Sequence, residues 1–170
     1  MSTIRRARAD DAPTICATET DVSAIPGLLV PAPDEISPDS TKRMIEQLGD
    51  GVGCCMVAED DAKVVGHAFL RPMDLRATSH VYRLTIVVHP SFWKRGVGRA
   101  LMQALRQWAT ASPLVEKVEL LVRSTNSSAL KLYEQFGFVE EGRLRHRVRL
   151  PSGSYVDDIA MAWFPKRGHA

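Results

Sequence analysis

The sequence predicts an α/β (α+β) fold in which helices pack on the faces of one mixed sheet. β-prone runs and amphipathic helical segments follow one another along the whole chain. Their order is strand, two helices, three strands, helix, strand, helix and two strands. Short turns join some neighbouring strands and helices join others, so we expect both antiparallel and parallel strand pairs.

The composition is that of one ordinary globular domain, which we expect to span residues 1–170. Apolar residues make up 45% of the chain, charged residues make up 25%, and the net charge is +2. A net charge this small gives no argument for a nucleic acid partner or a membrane surface. The chain has no apolar run of about 18 residues, so we expect no membrane-spanning helix.

The N-terminal residues and the cysteines indicate the cytoplasm. The opening stretch MSTIRRARADDAP carries charges where a signal peptide has an apolar core. The three cysteines are Cys16 and the adjacent pair Cys54 and Cys55, whose side chains point to opposite faces of a strand-like run. This odd set argues against a disulfide framework, lacks the spacing of metal ligands and fits a reducing compartment.

The first predicted elements are a strand and a capped helix. The strand alternates up to about Arg8, and Asp10 or Asp11 is expected to cap a helix that runs to about Thr20. Residues 23–40 follow and contain four prolines. A loop this long in a compact domain is often functional, so the segment is either a substrate-side loop or a plain connector.

A second helix and three strands come next. The stretch SPDSTKRMIEQLGDG predicts a helix that ends at Gly49 or Gly51. GCCMVAED and AKVVGHAFLRPM predict a hairpin with DDA as its turn. SHVYRLTIVVHP predicts a strand that Pro90 ends, because proline cannot continue a central ladder.

Two amphipathic helices and a final hairpin complete the chain. Each helix has apolar residues at i, i+3, i+4 and i+7: Leu101, Ala104, Leu105 and Trp108 in one, and Ala129, Leu132, Tyr133 and Phe136 in the other. VEKVELLV is the strand between them. Asn126 is a suitable N-cap of the second helix, and Gly137 is placed to end it. Two alternating strands around PSGS then form a hairpin.

A glycine turn lies between the strand ended by Pro90 and the helix that follows it. Gly96 and Gly98 open the helix, and Lys94, Arg95 and Arg99 surround them. A helix N-terminus offers unpaired N–H groups and a partial positive charge, and glycine lets a ligand approach the backbone closely. The turn therefore predicts a phosphate cradle. The alternative is that the glycines only permit a turn, since both the third glycine of a dinucleotide fingerprint and a P-loop are missing.

Two stretches of the sequence resemble the GCN5-related N-acetyltransferases (GNATs). VHPSFWKRGVG matches the family's phosphate turn, with Trp93 where glutamine or arginine is usual, and residues 126–138 fit the family's Asn-x-x-Ala-x-x-x-Tyr-x-x-x-Gly-Phe motif. The tail from Gly137 to Met161 is similar to bacterial amino-acid N-acetyltransferases and, less closely, to polyamine acetyltransferases. The resemblance implies a mostly antiparallel, six- to seven-stranded sheet flanked by about four helices, and acetyl-CoA as co-substrate.

The same resemblance implies roles for particular residues. The backbones of Ile86 and Val88 would pair with the pantetheine arm, and the Val88 N–H would stabilise the oxyanion. The pyrophosphate would be held by the N–H groups of Arg95, Gly96, Val97, Gly98, Arg99 and Ala100. Asn126 would contact the pantetheine or act only as a helix cap. Tyr133 would protonate the leaving thiolate, or would be only a core aromatic residue.

The general base is not settled by the sequence. The attacking amine must lose a proton, and the strand that carries a carboxylate in many relatives, here VYRLTIVV, has none. Carboxylates and histidines elsewhere are candidates, namely Glu19, Glu59, His80 and His146. Deprotonation through a water relay is an equal alternative.

Four arginines alternate in RLRHRVRL, so Arg143, Arg145, Arg147 and Arg149 are predicted to share one face of a strand. Such a row can protect a sheet edge from aggregation. It can also bind a substrate carboxylate, and it weighs against a polyamine acceptor.

These observations predict an enzyme that acetylates the primary amine of a small molecule, with an amino acid as the first choice. A polyamine or protein N-terminal acetyltransferase and a non-catalytic CoA-binding sensor are the alternatives. We expect no nucleic acid partner, no membrane and no metal, and a homodimer is compatible with the sequence.

Overall fold

A computed structural model describes residues 2–165 and confirms the predicted order of elements. Within these residues there are seven strands and four α-helices. The elements are β1 (Thr3–Arg6), α1 (Ala12–Ser23), α2 (Pro38–Leu48), β2 (Cys54–Asp60), β3 (Lys63–Pro72), β4 (Val81–Val88), α3 (Val97–Ala111), β5 (Lys117–Arg123), α4 (Ser127–Gln135), β6 (Val139–Arg149) and β7 (Tyr155–Trp163).

All seven strands form one sheet in the order β1-β2-β3-β4-β5-β7-β6. Neighbouring strands are antiparallel except β4 and β5, which are parallel. The β4–β5 ladder is short and ends where Arg83 lies opposite Glu119. Both strands continue beyond this point without pairing to each other, so the sheet opens between Val88 and Arg123.

The helices bury apolar side chains on both faces of the sheet. Leu101 and Leu105 of α3 and Tyr133 of α4 pack with β4 and β5 on one face. Ile15 of α1 and Ile45 of α2 pack with β2 and β3 on the other face. The two faces are named below by their helices, as the α3/α4 face and the α1/α2 face.

The three cysteines behave as predicted. Cys54 packs in the core of the α3/α4 face and Cys55 in the core of the α1/α2 face. All three are buried and free. Burial raises the pKa of the Cys54 thiol to about 11 and that of the Cys55 thiol to about 12, so neither is a ready nucleophile.

The N-terminal boundaries differ from the prediction. β1 ends at Arg6 instead of about Arg8, and α1 runs to Ser23 instead of about Thr20. Asp11 occupies the N-cap position of α1, but its carboxylate accepts from the Arg5 guanidinium (2.8 Å) and from the Arg8 N–H (2.7 Å). These charged hydrogen bonds hold a short 3-10 turn before the helix, and Asp11 does not cap α1.

The proline-rich connection between α1 and α2 crosses toward the end of β5. A Cβ built on Gly27 would lie 3.8 Å from Thr125 Oγ1 and 3.8 Å from Leu150 Cδ2, so the backbone at Gly27 lies close to the β5–α4 loop and the β6–β7 hairpin. Across residues 2–165, no helix has the length and apolar character needed to span a bilayer.

Candidate active site

The glycine turn and the start of α3 lie where the sequence predicts the phosphate cradle. Gly96 is the N-cap of α3 with φ at +83°, a conformation that favours glycine. The first turn of α3 contains no acidic residue. Helix geometry leaves the N–H groups of Val97, Gly98 and Arg99 without acceptors in the helix. These donors point out of a positively polarised helix end, as an anion site requires.

Ala100 does not belong to the set of free donors. Its N–H donates to the Gly96 carbonyl (3.0 Å), which is the first hydrogen bond within α3. The predicted run of donors is therefore one residue too long, and the N–H groups that remain available extend from Arg95 to Arg99.

Gly98 lies where three elements converge. A Cβ built on it would be 3.5 Å from Leu132 Cδ2 of α4 and 3.9 Å from Val88 Cγ2 at the end of β4. These are ordinary contact distances, so the fold itself does not require a glycine here. The missing side chain leaves open the space between β4, α3 and α4, and this arrangement fits a pyrophosphate-bearing ligand.

Trp93 connects the glycine turn to β4 through a hydrogen bond. Its indole N–H donates to the Val88 carbonyl (2.7 Å). The residue that departs from the family's usual glutamine or arginine thus stabilises the cradle through the backbone. The side chains of Arg95 and Arg99 lie against the rings of Phe92 and Phe136, respectively.

The edge of β4 that faces β5 carries the backbone groups of Ile86 and Val88. His89 donates its N–H to Val65 of β3 (2.9 Å), and hydrogen bonding alternates along a strand. Ile86 and Val88 therefore point away from β3, toward the place where the sheet opens. The Val88 carbonyl already accepts a hydrogen bond from Trp93. The Val88 N–H and the N–H and carbonyl groups of Ile86 are therefore left for a ligand.

The backbone of Tyr133 is fixed by the end of α4. Phe138 donates its N–H to the Tyr133 carbonyl (3.1 Å), Gly137 donates to Glu134 (3.0 Å), and Gly137 has φ at +85°. This pattern is a Schellman motif and confirms the predicted helix stop. The rings of Tyr133 and Phe138 are in contact, with centroids 5.8 Å apart.

The Tyr133 side chain is almost completely buried. Only 7% of the residue is exposed. The hydroxyl makes no hydrogen bond to any residue in the range 2–165, and it is not among the fully enclosed side-chain polar atoms that lack partners. Burial raises the pKa of Tyr133 above its usual value and keeps the hydroxyl protonated.

Asn126 caps α4 as predicted. Its Oδ1 accepts the Ala129 N–H (3.1 Å), and the side chain is partly buried. The side-chain amide nitrogen can still donate, so capping leaves one group for a ligand contact.

Three of the four candidate bases lie away from the sheet opening. Glu59 pairs with Arg5 (2.8 Å) near the β1 edge. His80 precedes β4, at the opposite end of that strand from Val88. His146 is exposed on the edge strand β6 and stacks on Tyr155 at 5.1 Å.

Glu19 contacts a buried histidine that the sequence analysis missed. Its Oε1 lies 3.0 Å from Nε2 of His67, which is 0% exposed. The contact has ion-pair distance but not hydrogen-bond alignment. His67 lies opposite Val87 of β4, on the α1/α2 face. A single histidine in the apolar run VVGHAFL gave no signal of this pairing, because its partner comes from a distant helix.

The predicted single row of arginines does not form. The register of β6 against β7 shifts between Leu144 and Val148, and His146 has φ at +52° within this irregularity. Arg143 pairs with Asp157 at 3.0 Å. The bulge interrupts the alternation, so the prediction of one shared face is wrong.

The chain is similar in sequence to known acetyltransferases. A family model described as the acetyltransferase (GNAT) family matches residues 23–138. The chain is 35% identical over 118 residues to the L-amino acid N-acetyltransferase AaaT of Escherichia coli (strain K12), covering 69% of this chain and 72% of that protein.

Two solved structures have a similar fold. One is the acetyltransferase of GNAT family from Streptococcus pneumoniae, with a TM-score of 0.90, 23% identity, and coverage of 96% of this chain and 99% of that one. The other is a GNAT superfamily phosphinothricin acetyltransferase from Sinorhizobium meliloti in complex with AcCoA. For it the TM-score is 0.86, the identity 19%, and the coverage 96% and 88%.

Proposed function

The chain belongs to the acetyltransferase (GNAT) family, and we propose that it moves the acetyl group of acetyl-CoA to the α-amine of a small amino acid or a close analogue. The observation that carries the choice of acceptor is the 35% identity to an L-amino acid N-acetyltransferase. A protein N-terminus, a polyamine and a CoA-sensing role without catalysis are the competing outcomes. Release of free thiol from acetyl-CoA that depends on the acceptor is the experiment that tests the proposal.

The glycine turn and the open edge of β4 would hold acetyl-CoA. The N–H groups from Arg95 to Arg99 would bind the pyrophosphate, and Ile86 and Val88 would pair with the pantetheine arm like an added strand. When bound, acetyl-CoA supplies an activated thioester. The Val88 N–H is a fixed donor that can stabilise the negative charge developing on the attacked carbonyl oxygen.

Tyr133 would act as the general acid. Departure of CoA as a thiolate is assisted when a hydroxyl donates a proton to the sulfur. A general acid must be protonated at neutral pH, and the raised pKa of the buried Tyr133 satisfies this condition. A Cβ at Gly98 would lie within contact distance of both β4 and the residue next to Tyr133, which supports a common site for the cradle and the acid.

Glu19 would be the base that accepts the proton from the attacking amine. Of the four candidates, Glu19 is the one that contacts His67, and His67 lies level with the open end of β4. Its side chain is 21% exposed, so a small amine can reach the carboxylate. His67 would hold the carboxylate in position from the buried side.

The change Glu19→Gln should lower kcat/KM by about 10²-fold near pH 7, the lower end of a typical general-base effect. The loss should shrink at higher pH, because the acceptor amine loses its proton to solvent as the pH approaches its own pKa, which lies above the value of about 8 for a peptide N-terminus, and then needs no base. The pH profile of kcat/KM is the measurement. Glu59→Gln is the control and should leave it unchanged. A loss below about threefold at pH 7 would favour a water relay instead.

A further inference from the structure

A buried ion pair occupies the end of β5, on the side of the site opposite Glu19. Arg123 is 6% exposed and Asp158 of β7 is 1% exposed. The Arg123 Nε lies 2.5 Å from Asp158 Oδ1, at ion-pair distance but without hydrogen-bond alignment. Sequence reasoning missed this pair, because only the β5–β7 register places the two residues opposite each other.

Arg123 and Glu19 lie on the same face of the sheet. Val122 packs in the core of the α3/α4 face, so the next residue, Arg123, points to the α1/α2 face. The β4–β5 ladder ends at Arg83 opposite Glu119. Val87 and Arg123 each lie four residues beyond that pair along their own strands. Val87 and Arg123 are therefore level across the opening.

The guanidinium of Arg123 has a donor that the fold does not use. Its Nη1 is fully enclosed and has no hydrogen-bond partner within residues 2–165. A buried polar group without a partner is uncommon and calls for a physical reason. Desolvation lowers the pKa of Arg123 and raises that of Asp158, so their mutual attraction does not fully offset the burial of the two charges.

The local charge is positive. Arg147, from the irregular part of β6, is close enough to act electrostatically on both members of the pair. Arg147 thus adds a second positive charge near Asp158, while the neighbouring Asp157 is already paired with Arg143. The backbone at Gly27 lies close to Thr125, two residues beyond Arg123, and so is near this end of the strand.

We propose that Arg123, together with Arg147, binds the carboxylate of the amino-acid acceptor, and that Asp158 positions Arg123 for this contact. The inference rests on the proposed function and adds a specificity-determining site to it. An amino acid carries its amine and carboxylate one carbon apart. A carboxylate held on the β5 side would place the amine toward Glu19 and the thioester on the β4 side. Arginine suits this role because its planar fork matches a carboxylate.

The test compares kcat/KM for an amino acid and for its decarboxylated amine. Arg123→Lys keeps a positive charge beside Asp158 but loses the planar guanidinium, which can donate two hydrogen bonds to one carboxylate. It should lower the ratio of the two kcat/KM values by about 10- to 100-fold, as expected for a lost charged hydrogen bond. Arg147→Gln, on the exposed strand β6, should lower the ratio in the same direction and gives a second variant if Arg123→Lys does not fold. Arg143→Gln is the matched control and should leave the ratio unchanged.

The outcomes separate this inference from the function on which it rests. An unchanged ratio in Arg147→Gln and in a folded Arg123→Lys that still binds acetyl-CoA would overturn the carboxylate site. An equal loss for both acceptors would also overturn it, because a merely structural ion pair predicts that result. If the unaltered enzyme acetylates no small amine at all, the proposed function itself fails.

Discussion

Replacing Tyr133 with phenylalanine is expected to lower kcat by about 10²-fold or more, within the usual range for loss of a general acid. The ring that packs against Phe138 remains, and only the proton donor is removed. The Kd for acetyl-CoA should therefore stay nearly unchanged. Steady-state thiol release gives kcat, and calorimetric titration gives the Kd.

The Tyr133→Phe experiment has a stability control within the same protein. Because the Tyr133 hydroxyl makes no hydrogen bond to the described residues, its removal should change the free energy of unfolding by less than about 1 kcal/mol. Tyr155→Phe, at an exposed position, should leave both kcat and stability unchanged. If Tyr133→Phe reduces kcat by less than about threefold, Tyr133 is a packing residue and the acid must come from elsewhere.

Gly98→Glu is expected to abolish the stabilisation that acetyl-CoA gives to the unaltered protein. At about 100 times its Kd, a ligand adds about 2.7 kcal/mol, which corresponds to about 5–10 °C in Tm for a chain of this size. A glutamate at Gly98 would fill the space between β4 and α4 and place a negative charge at the cradle. A thermal-shift measurement with and without acetyl-CoA gives the result.

Gly142→Glu is the matched control for the cradle. Gly142 lies on β6, where an added Cβ meets nothing within 4 Å, so the same substitution should leave the ligand-induced shift intact. A normal shift in Gly98→Glu would show that the pyrophosphate lies elsewhere. The absence of a shift in the unaltered protein at millimolar acetyl-CoA would remove the co-substrate assignment altogether.

Local sequence patterns were sufficient for the elements and for the glycine turn at the start of α3. The helix that Asn126 caps and Gly137 ends, and the turn at Gly96, depend on residues that are neighbours in the chain. Their conformations follow from side-chain capping and from the φ angles open to glycine. The prediction that an acidic residue caps α1 is wrong, because the Asp11 carboxylate accepts a hydrogen bond from Arg5 and not from the helix that Asp11 precedes.

Features set by pairing between distant segments could not be read from the sequence. The pairs Glu19–His67 and Arg123–Asp158 each join residues from different elements across the sheet. The bulge in β6 depends on its register with β7. The alternation of four arginines in the sequence therefore predicted a shared face that the strand does not have. The contact of Trp93 with Val88 required the actual path of the turn.

The most direct test of the account is the rank order of kcat/KM for three acceptors with acetyl-CoA: an amino acid, its decarboxylated amine and spermidine. Free thiol release measures the rate, and mass spectrometry of the acceptor confirms the added acetyl group. We predict that the amino acid has the highest kcat/KM, because a bound carboxylate aims the amine at the thioester. A higher value for the decarboxylated amine or for spermidine, or no acceptor-dependent thiol release with any of them, would contradict acetyl transfer to an amino acid.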